Sequence, residues 1–166
     1  MPLFAHIGIG LAFKQIDPKR STWLLVIGSM LLDILLVVPF IVLIIAGVST
    51  TGASPLTHSL LGASIISGIT FLVVYLIDHQ KSENSNNLKT ASIMTLLIFS
   101  HWLLDFIGWP MTLGGLNPSA GGIPITFDTS FTIGIGVYRT LTGAIIMEIG
   151  VFIIGFVLYR KAKVKS

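Results

Sequence analysis

The chain has 166 residues, of which 53% are hydrophobic and only 10% are charged, and its formal net charge is +3. Soluble domains carry about 25% charged residues, so this composition excludes an ordinary soluble domain and indicates an integral membrane protein. The Lys and Arg residues lie in short clusters beside apolar runs, a pattern typical of membrane orientation and not of nucleic-acid binding. The absence of cysteine excludes disulfides and thiolate metal sites, which leaves His, Asp and Glu as the strong ligands.

The N-terminal segment, residues 2–13, is apolar but too short for a membrane crossing, which needs about 20 residues. It predicts a short interfacial or half-membrane helix that ends at Lys14. Because the segment has no basic region before its apolar part and no small-residue cleavage site, we expect it to stay in the mature fold. A polar turn at residues 15–21 follows.

Four longer apolar segments predict four transmembrane helices, at about residues 22–48, 56–77, 90–109 and 132–159. Pro39 predicts a kink in the first of them. The Gly/Pro-rich residues 110–130 are too many for a simple turn, and we expect this loop to act as a lid. The predicted fold is an all-α polytopic membrane protein, a single domain over residues 1–166, with four crossings preceded by the short N-terminal helix.

The basic residues predict the orientation of the chain in the membrane. The loops 49–55 and 110–130 contain no Lys or Arg. The other connecting segments and the C-terminus contain Lys14, Lys19, Arg20, Lys81, Lys89, Arg160, Lys161, Lys163 and Lys165. By the positive-inside rule, we expect a multi-pass protein of the inner membrane whose basic loops and C-terminus are cytoplasmic.

The predicted third crossing carries a histidine and a carboxylate, His101 and Asp105, within the sequence SHWLLD. Residues four apart lie on one face of a helix, one above the other. An imidazole nitrogen and a carboxylate oxygen at this spacing can bind one divalent cation, and an ionisable pair in hydrocarbon is by default a functional-site hypothesis. The alternative is a neutral histidine hydrogen-bonded to the carboxylate inside the bundle.

Other ionisable residues fall at a similar depth in the predicted bundle. At 1.5 Å per residue, six of them from five segments lie about 12–25 Å from the basic side of the membrane. These predicted metal ligands are His6, Asp33, His58, His101, Asp105 and Glu148. Three imidazoles and three carboxylates are the donor set of a divalent ion, with zinc expected. The set exceeds the needs of one four-coordinate ion, so one ion, or two bridged by a carboxylate, are both open.

Each of these residues also has a structural alternative. Asp33 would pair with Arg139 or a histidine, and Glu148 would be a buried acid held neutral. Arg139 itself, near the outer end of the last crossing, is expected to bind a substrate phosphate or carboxylate, or to snorkel to lipid headgroups. Thr57 and Ser59, beside His58, are expected to donate hydrogen bonds near the metal, as ligating histidines commonly require. Ser59 is also a predicted substrate-binding residue.

The order of several short motifs resembles one known family. The motifs are His6 in AHIGIGLA, Asp33 in GSMLLD, His58 in THSLLGA and the SHWLLD sequence around Asp105. They resemble the small bacterial and archaeal inner-membrane proteins described as membrane-bound metal-dependent hydrolases. The last segment is similar to that family's last segment, with Glu148 in place of the family's acid, so the resemblance covers nearly the whole chain.

The family's motif order is similar to that of soluble zinc-dependent phospholipases C, and this likeness implies a ligand set. It implies a first ion held by Asp33, His58, His101 and Asp105, and a second ion near His6 and Glu148. The chain departs from the family in having Leu32-Asp33-Ile34-Leu35 for Pro-Asp-x-Asp and Ala53-Ser54-Pro55 for His-Arg-Gly. The phospholipase-like His-x-x-x-Glu is also absent, since Ala144 stands four residues before Glu148. These departures weaken the second site and leave the first intact.

The expected function is hydrolysis of an ester or phosphoester in a lipid or lipid-linked small molecule by a metal-activated water. Asp105 or Glu148 would be the general base, the 110–130 loop would admit the substrate, and the site would open toward the extracytoplasmic side. The alternatives are a transporter or ion- or proton-conducting protein, and a non-catalytic membrane partner with a structural metal. The scarcity of polar residues in the cytoplasmic half of the helices favours the enzyme.

Overall fold

The computed structural model describes residues 3–47, 57–81, 87–108, 111–114, 127–133 and 135–165. Their helices are α1 (Leu3–Ala12), α2 (Thr22–Ser29), α3 (Leu31–Ile45), α4 (Leu60–Lys81), α5 (Asn87–Gly108) and α6 (Leu141–Lys165). Two strands, β1 (Met111–Gly114) and β2 (Phe127–Ile133), pair antiparallel between α5 and α6. Short 3₁₀ turns at Phe13–Gln15 and Val137–Arg139 follow α1 and precede α6.

Three of the described helices are long and apolar enough to cross a membrane, over Leu60–His79, Asn87–Gly108 and Leu141–Val164. The helical class is confirmed, but the prediction of four crossings is wrong for the described residues. Residues 22–48 do not form one span, because α2 ends at Ser29 and α3 begins at Leu31. The 15 residues of α3 give a length of about 22 Å, which is less than the hydrocarbon thickness of about 30 Å.

The break between α2 and α3 lies at Met30, whose φ and ψ are −102° and 1°. Pro39, where the kink was predicted, lies inside the continuous helix α3. Sharp helix bends occur at Gly/Ser pairs as well as at Pro, and Gly28-Ser29 is such a pair. The Ser29 hydroxyl also donates a hydrogen bond to the carbonyl of Val26 at 2.8 Å, a contact that competes with the helix ladder.

The predicted 110–130 loop is not entirely a loop, because it contributes to a two-stranded ribbon. Met111 is opposite Ile133 and Thr112 is opposite Thr132 in the register of β1 and β2. Residues 115–126, the middle of the predicted lid, lie outside the described residues, as does the whole of the 49–55 loop. The sequence allowed the last crossing to begin at about Thr132 or Arg139. Residues Phe127–Ile133 form β2, and the last helix begins at Leu141, close to the later of these two starts.

The helix α5 is the centre of the bundle, since it packs on α1, α2, α3, α4 and the Val137–Arg139 turn. Within the spanning windows 56% of α5 is buried, against 11% of α4 and 6% of α6. Large apolar side chains such as Leu72 of α4 and Ile154 of α6 point outward. The helices α4 and α6 therefore lie on the outside of the bundle, where lipid would surround them, and α5 lies in its interior.

On one side of the bundle, Arg20 contacts residues near the ends of several helices. Its Nη2 donates to the Thr90 hydroxyl and lies 3.9 Å from Asp78 Oδ2, while its Nε donates to Asp17 Oδ2 at 3.3 Å. The Lys14 ammonium donates to the carbonyl of Arg20. We call this side of the bundle, marked by the Arg20 contacts and the ends of α1, α4 and α5, the basic end.

The helices α1 and α6 run side by side at very close range. A Cβ atom added to Gly8 would lie 2.6 Å from the carbonyl oxygen of Val151 and 2.7 Å from the Cα of Phe152. A Cβ atom added to Gly155 would collide with the backbone of Gly8. Gln15 Nε2 donates to the carbonyl of Leu158 at 2.7 Å, so the two helices run in the same direction toward the basic end.

We predict that Gly155→Ala separates α1 from α6 and lowers the free energy of unfolding by about 1–3 kcal/mol, the usual cost of overpacking. The matched control is Gly150→Ala on the same helix, where a Cβ atom meets nothing within 4 Å. The control should be neutral or slightly stabilising, since Ala favours a helix over Gly. Thermal unfolding in detergent micelles measures both, and equal melting temperatures would contradict the close contact.

Candidate metal centre

The imidazole of His101 is hydrogen-bonded to the backbone at the break between α2 and α3. Its Nδ1 donates a hydrogen bond of 2.7 Å to the carbonyl of Ser29, the last residue of α2. The last carbonyls of a helix lack intrahelical N–H donors, so the break at Met30 makes this oxygen available. With the proton on Nδ1, the Nε2 atom of the neutral ring carries a free lone pair. That Nε2 is buried and makes no hydrogen bond within the part of the chain that the structure describes.

Two carboxylates face this nitrogen. Asp105 Oδ2, one turn along α5, and Asp33 Oδ1, in the first turn of α3, each lie 3.5 Å from His101 Nε2. Donor atoms at 2.0–2.2 Å from a tetrahedral zinc lie about 3.3–3.6 Å from one another. The two separations therefore match the spacing of ligands around a common ion and exceed that of ordinary N–H···O hydrogen bonds.

His58 joins the same two carboxylates from the start of α4. Its Nε2 lies 3.6 Å from Asp105 Oδ2 and 3.0 Å from Asp33 Oδ1, while its Nδ1 lies 2.7 Å from the Thr57 hydroxyl. A threonine hydroxyl both donates and accepts, so either tautomer of His58 satisfies the contact with Thr57. If Nδ1–H donates to Thr57, Nε2 has a free lone pair for an ion. If Thr57 donates to Nδ1, Nε2–H donates to Asp33, and the pair needs no ion.

His6 reaches the same place from α1 and is fully buried. Its ring lies over that of His101, with centroids 3.7 Å apart and planes at 40°. His6 Nε2 is 3.9 Å from Asp105 Oδ1 and 3.4 Å from the carbonyl of His101. The structure thus unites five of the six predicted ligands in one group, the His/Asp cluster, which consists of His6, Asp33, His58, His101 and Asp105.

Within the His/Asp cluster, two triplets have donor atoms that all lie within 4.8 Å of one another. One triplet is His6, Asp33 and His101, and the other is His58, His101 and Asp105. His101 belongs to both. The cluster could therefore hold a metal ion, and ion pairs among the same side chains are the alternative explanation of their contacts.

Glu148, the sixth predicted ligand, belongs to neither triplet. Its Oε2 accepts hydrogen bonds from the backbone N–H groups of Phe4 at 2.7 Å and Ala5 at 3.1 Å, and its Oε1 accepts one from the Tyr138 hydroxyl at 2.9 Å. It therefore caps the first turn of α1 from a neighbouring helix. Burial raises the pKa of Tyr138, and the hydrogen bond to Glu148 raises it further, so the phenol stays a donor.

The two predicted substrate-binding residues lie in different surroundings. Ser59 is buried and its hydroxyl accepts a hydrogen bond from the N–H of Gly62 at 2.9 Å, so it caps α4. Arg139 is exposed and ends the 3₁₀ turn that precedes α6. Their roles toward a substrate stay predictions. Tyr138 and the Ser29 carbonyl are site components that the sequence analysis missed, and only the Gly28-Ser29 pair carried a signal for the second.

Comparisons of the chain with protein-family models, with curated proteins and with solved structures find no match. The resemblance to the membrane-bound metal-dependent hydrolases therefore stays a prediction based on short motifs. Any function has to be argued from the geometry and chemistry of the His/Asp cluster itself.

We predict that Thr57→Val weakens zinc binding by about 10–100-fold, the usual effect of removing the hydrogen-bond partner of a ligating histidine. The substitution preserves shape but removes the oxygen that fixes the ring of His58. Thr57→Ser, which keeps a hydroxyl, is the matched control and should bind zinc as the wild type does. Competition with a chromophoric chelator measures the affinities, and an unchanged value for Thr57→Val would argue against His58 as a ligand.

Proposed function

We propose that the protein is a membrane-embedded, metal-dependent hydrolase that acts on an ester or phosphoester of a lipid or lipid-linked small molecule. The observation that carries the proposal is the buried Nε2 of His101, which makes no hydrogen bond to the described residues and faces two carboxylates at 3.5 Å. A buried polar atom without a partner costs about 1–3 kcal/mol. A divalent cation between these three donors removes that cost.

The charge of the His/Asp cluster also favours a cation. Asp33 and Asp105 are both buried. If both carboxylates are ionised and the imidazoles are neutral, the cluster carries two negative charges that need compensation. A divalent ion supplies that compensation in full, and nitrogen and oxygen donors without sulfur suit zinc. The first ion would be held by Asp33, His58, His101 and Asp105, and His6 extends the donor set toward a second position.

When bound, a divalent ion supplies Lewis acidity, since it lowers the pKa of a water from about 15.7 to about 7 and polarises a phosphoryl or carbonyl oxygen. Asp105 is the carboxylate that we assign as general base, because its two oxygens face different histidines. Oδ2 lies 3.6 Å from His58 and Oδ1 lies 3.9 Å from His6. Glu148 already accepts three hydrogen bonds, so we give it no proton-transfer step.

The position of the cluster along α5 supports access from the side opposite the basic end. His101 lies 14 residues after Asn87 (101 − 87) and Asp105 lies 3 before Gly108 (108 − 105). At 1.5 Å per residue these are distances of about 21 Å and about 5 Å from the two ends of the helix. With the basic end cytoplasmic, by the positive-inside rule, the site would open toward the extracytoplasmic leaflet of the inner membrane. The exposed Arg139 would there meet an anionic headgroup.

The packing below the cluster supports the enzyme over a transporter or an ion- or proton-conducting protein. Between His101 and the basic end, α2 and α5 bury a cluster of apolar side chains against Ile9, Phe13 and Val74. Its buried members are Leu25, Ile93, Met94 and Leu97. An ion on a path across the bundle would have to leave its polar ligands there, which is costly in hydrocarbon surroundings.

We predict that His101→Ala abolishes bound metal, whereas His79→Ala, which changes an exposed histidine near the basic end of α4, leaves it unchanged. Elemental analysis of the purified proteins should find at least one zinc per chain in wild type and in the control. Added zinc at 100 times its Kd should stabilise wild type by about 2.7 kcal/mol by mass action and leave His101→Ala unaffected. An equal zinc response in wild type and His101→Ala would contradict the metal site.

Activity separates the enzyme from its alternatives. Hydrolysis of a phospholipid or isoprenoid phosphate by wild type should be lost in Asp105→Asn and retained in His79→Ala. A cation or proton flux across liposomes that depends on Asp105, without hydrolysis, would replace the enzyme with the transport alternative. Bound metal with neither hydrolysis nor flux would leave a structural metal.

A further inference from the structure

The N-terminal end of α1 lies at the depth of the spanning helix α6, not at its end. Phe4 contacts Glu148, which stands seven residues after Leu141 (148 − 141), the first residue of α6. At 1.5 Å per residue, the first turn of α1 is therefore about 10 Å below the start of that helix. The first N–H groups of a helix have no intrahelical partners, and at membrane depth they have no water to replace them.

The Glu148 carboxylate provides partners for two of these N–H groups. One oxygen accepts from Phe4 and Ala5 at 2.7 and 3.1 Å, and the other is fixed by the Tyr138 hydroxyl at 2.9 Å. A negative charge at a helix N-terminus is also favoured by the helix dipole. The Glu148 side chain thus links α6 to the first turn of α1, and the Tyr138 hydroxyl fixes the orientation of its carboxylate.

His6 directly follows Phe4 and Ala5, the two residues whose N–H groups donate to Glu148. The helix α1 has only 10 residues, so it depends on its neighbours for its position. It is fixed to α6 at Glu148 and, one turn further, at Gly8, which contacts the backbone of Val151 and Phe152. His6 lies between these two attachments and projects toward the cluster, where its ring contacts that of His101 at a centroid distance of 3.7 Å and a tilt of 40°.

From this geometry we infer that Glu148 is a positioning residue for the metal site: it acts through α1 to place the imidazole of His6, and it is not itself a ligand or a base. The inference rests on the proposed function, since it requires that the His/Asp cluster binds metal. Without the carboxylate, the first turn of α1 loses its partners and frays or moves, and His6 leaves its place beside His101 and Asp105. The remaining donors of the cluster stay on α3, α4 and α5.

The test uses the full-length protein loaded with cobalt(II) in detergent, because the visible absorption of cobalt reports the number and type of its ligands. Wild type, His6→Ala, Glu148→Ala and Glu148→Gln are compared. Glu148→Ala should give the cobalt spectrum of His6→Ala and a loss of affinity of similar size, about tenfold or more. The double variant should show no further loss. Glu148→Gln should keep the wild-type spectrum, since its amide oxygen still accepts both N–H groups.

Two further variants keep the test decisive. Tyr138→Phe removes the hydroxyl that orients Glu148, so it should lower the cobalt affinity, but by less than Glu148→Ala does, because the carboxylate still accepts the N–H groups of Phe4 and Ala5. If Glu148→Ala does not yield folded protein, Glu148→Asp replaces it, because the shorter carboxylate should shift α1 and change the spectrum in the direction of His6→Ala.

The outcomes separate this inference from the proposed function. Cobalt binding by wild type, together with a wild-type spectrum in Glu148→Ala or an unchanged spectrum in His6→Ala, would overturn the positioning role and leave the metal site standing. A Glu148→Gln spectrum that loses a ligand while His6→Ala does not would make Glu148 a ligand and overturn the inference in the same way. Failure of wild type to bind cobalt or zinc would overturn the proposed function, and this inference with it.

Discussion

The hydrogen bond from His101 Nδ1 to the carbonyl of Ser29 joins the central helix α5 to the break between α2 and α3. In an unbroken helix that carbonyl would belong to the backbone ladder, and the break at Met30 releases it. The same bond fixes the tautomer of His101 and turns its Nε2 toward Asp33, which stands in the first turn after the break. The division of the predicted first crossing into α2 and α3 and the position of the His101 ring therefore both depend on the break at Met30.

The cost of polar groups in an apolar bundle explains most other polar contacts. Ser59 satisfies the first turn of α4, Glu148 satisfies the first turn of α1, and Arg20 gathers carboxylate and hydroxyl groups at the basic end. Each contact satisfies helix ends or charges that hydrocarbon cannot solvate. Between Arg20 and the cluster, side chains such as Leu97 keep the bundle apolar. The buried imidazoles and carboxylates of the His/Asp cluster therefore lie on the side of this apolar packing that faces away from Arg20.

Much of this arrangement follows from the sequence because it depends on simple spacings. Apolar length predicts α4, α5 and α6, and the four-residue spacing predicts that His101 and Asp105 share a face. The depth of a residue in the membrane, estimated from its position along a helix, does not show which face of the helix it lies on. Glu148 was therefore grouped with the other predicted metal ligands, which lie at a similar depth. Its actual partners are backbone N–H groups of Phe4 and Ala5, which no side-chain pattern announces. The Gly28-Ser29 pair indicates the break in the sequence, but the kink was predicted at Pro39 instead.

The distances within the cluster distinguish two of its three histidines, His58 and His101, by whether a proton or a metal ion would balance the charge of their carboxylate neighbours. His58 Nε2 is 3.0 Å from Asp33 Oδ1, a hydrogen-bond length, so a proton satisfies this pair as well as an ion does. His101 Nε2 has no such contact, because its ring is held by Ser29 and its two carboxylate neighbours remain at 3.5 Å. A protonated His101 would form ion pairs with both carboxylates at these separations. A cation between the three atoms could also be bound at the spacing they already have. His101 is therefore the residue of the cluster whose Nε2 the hydrogen bonds of the described residues leave unsatisfied, and this nitrogen could bind a metal ion.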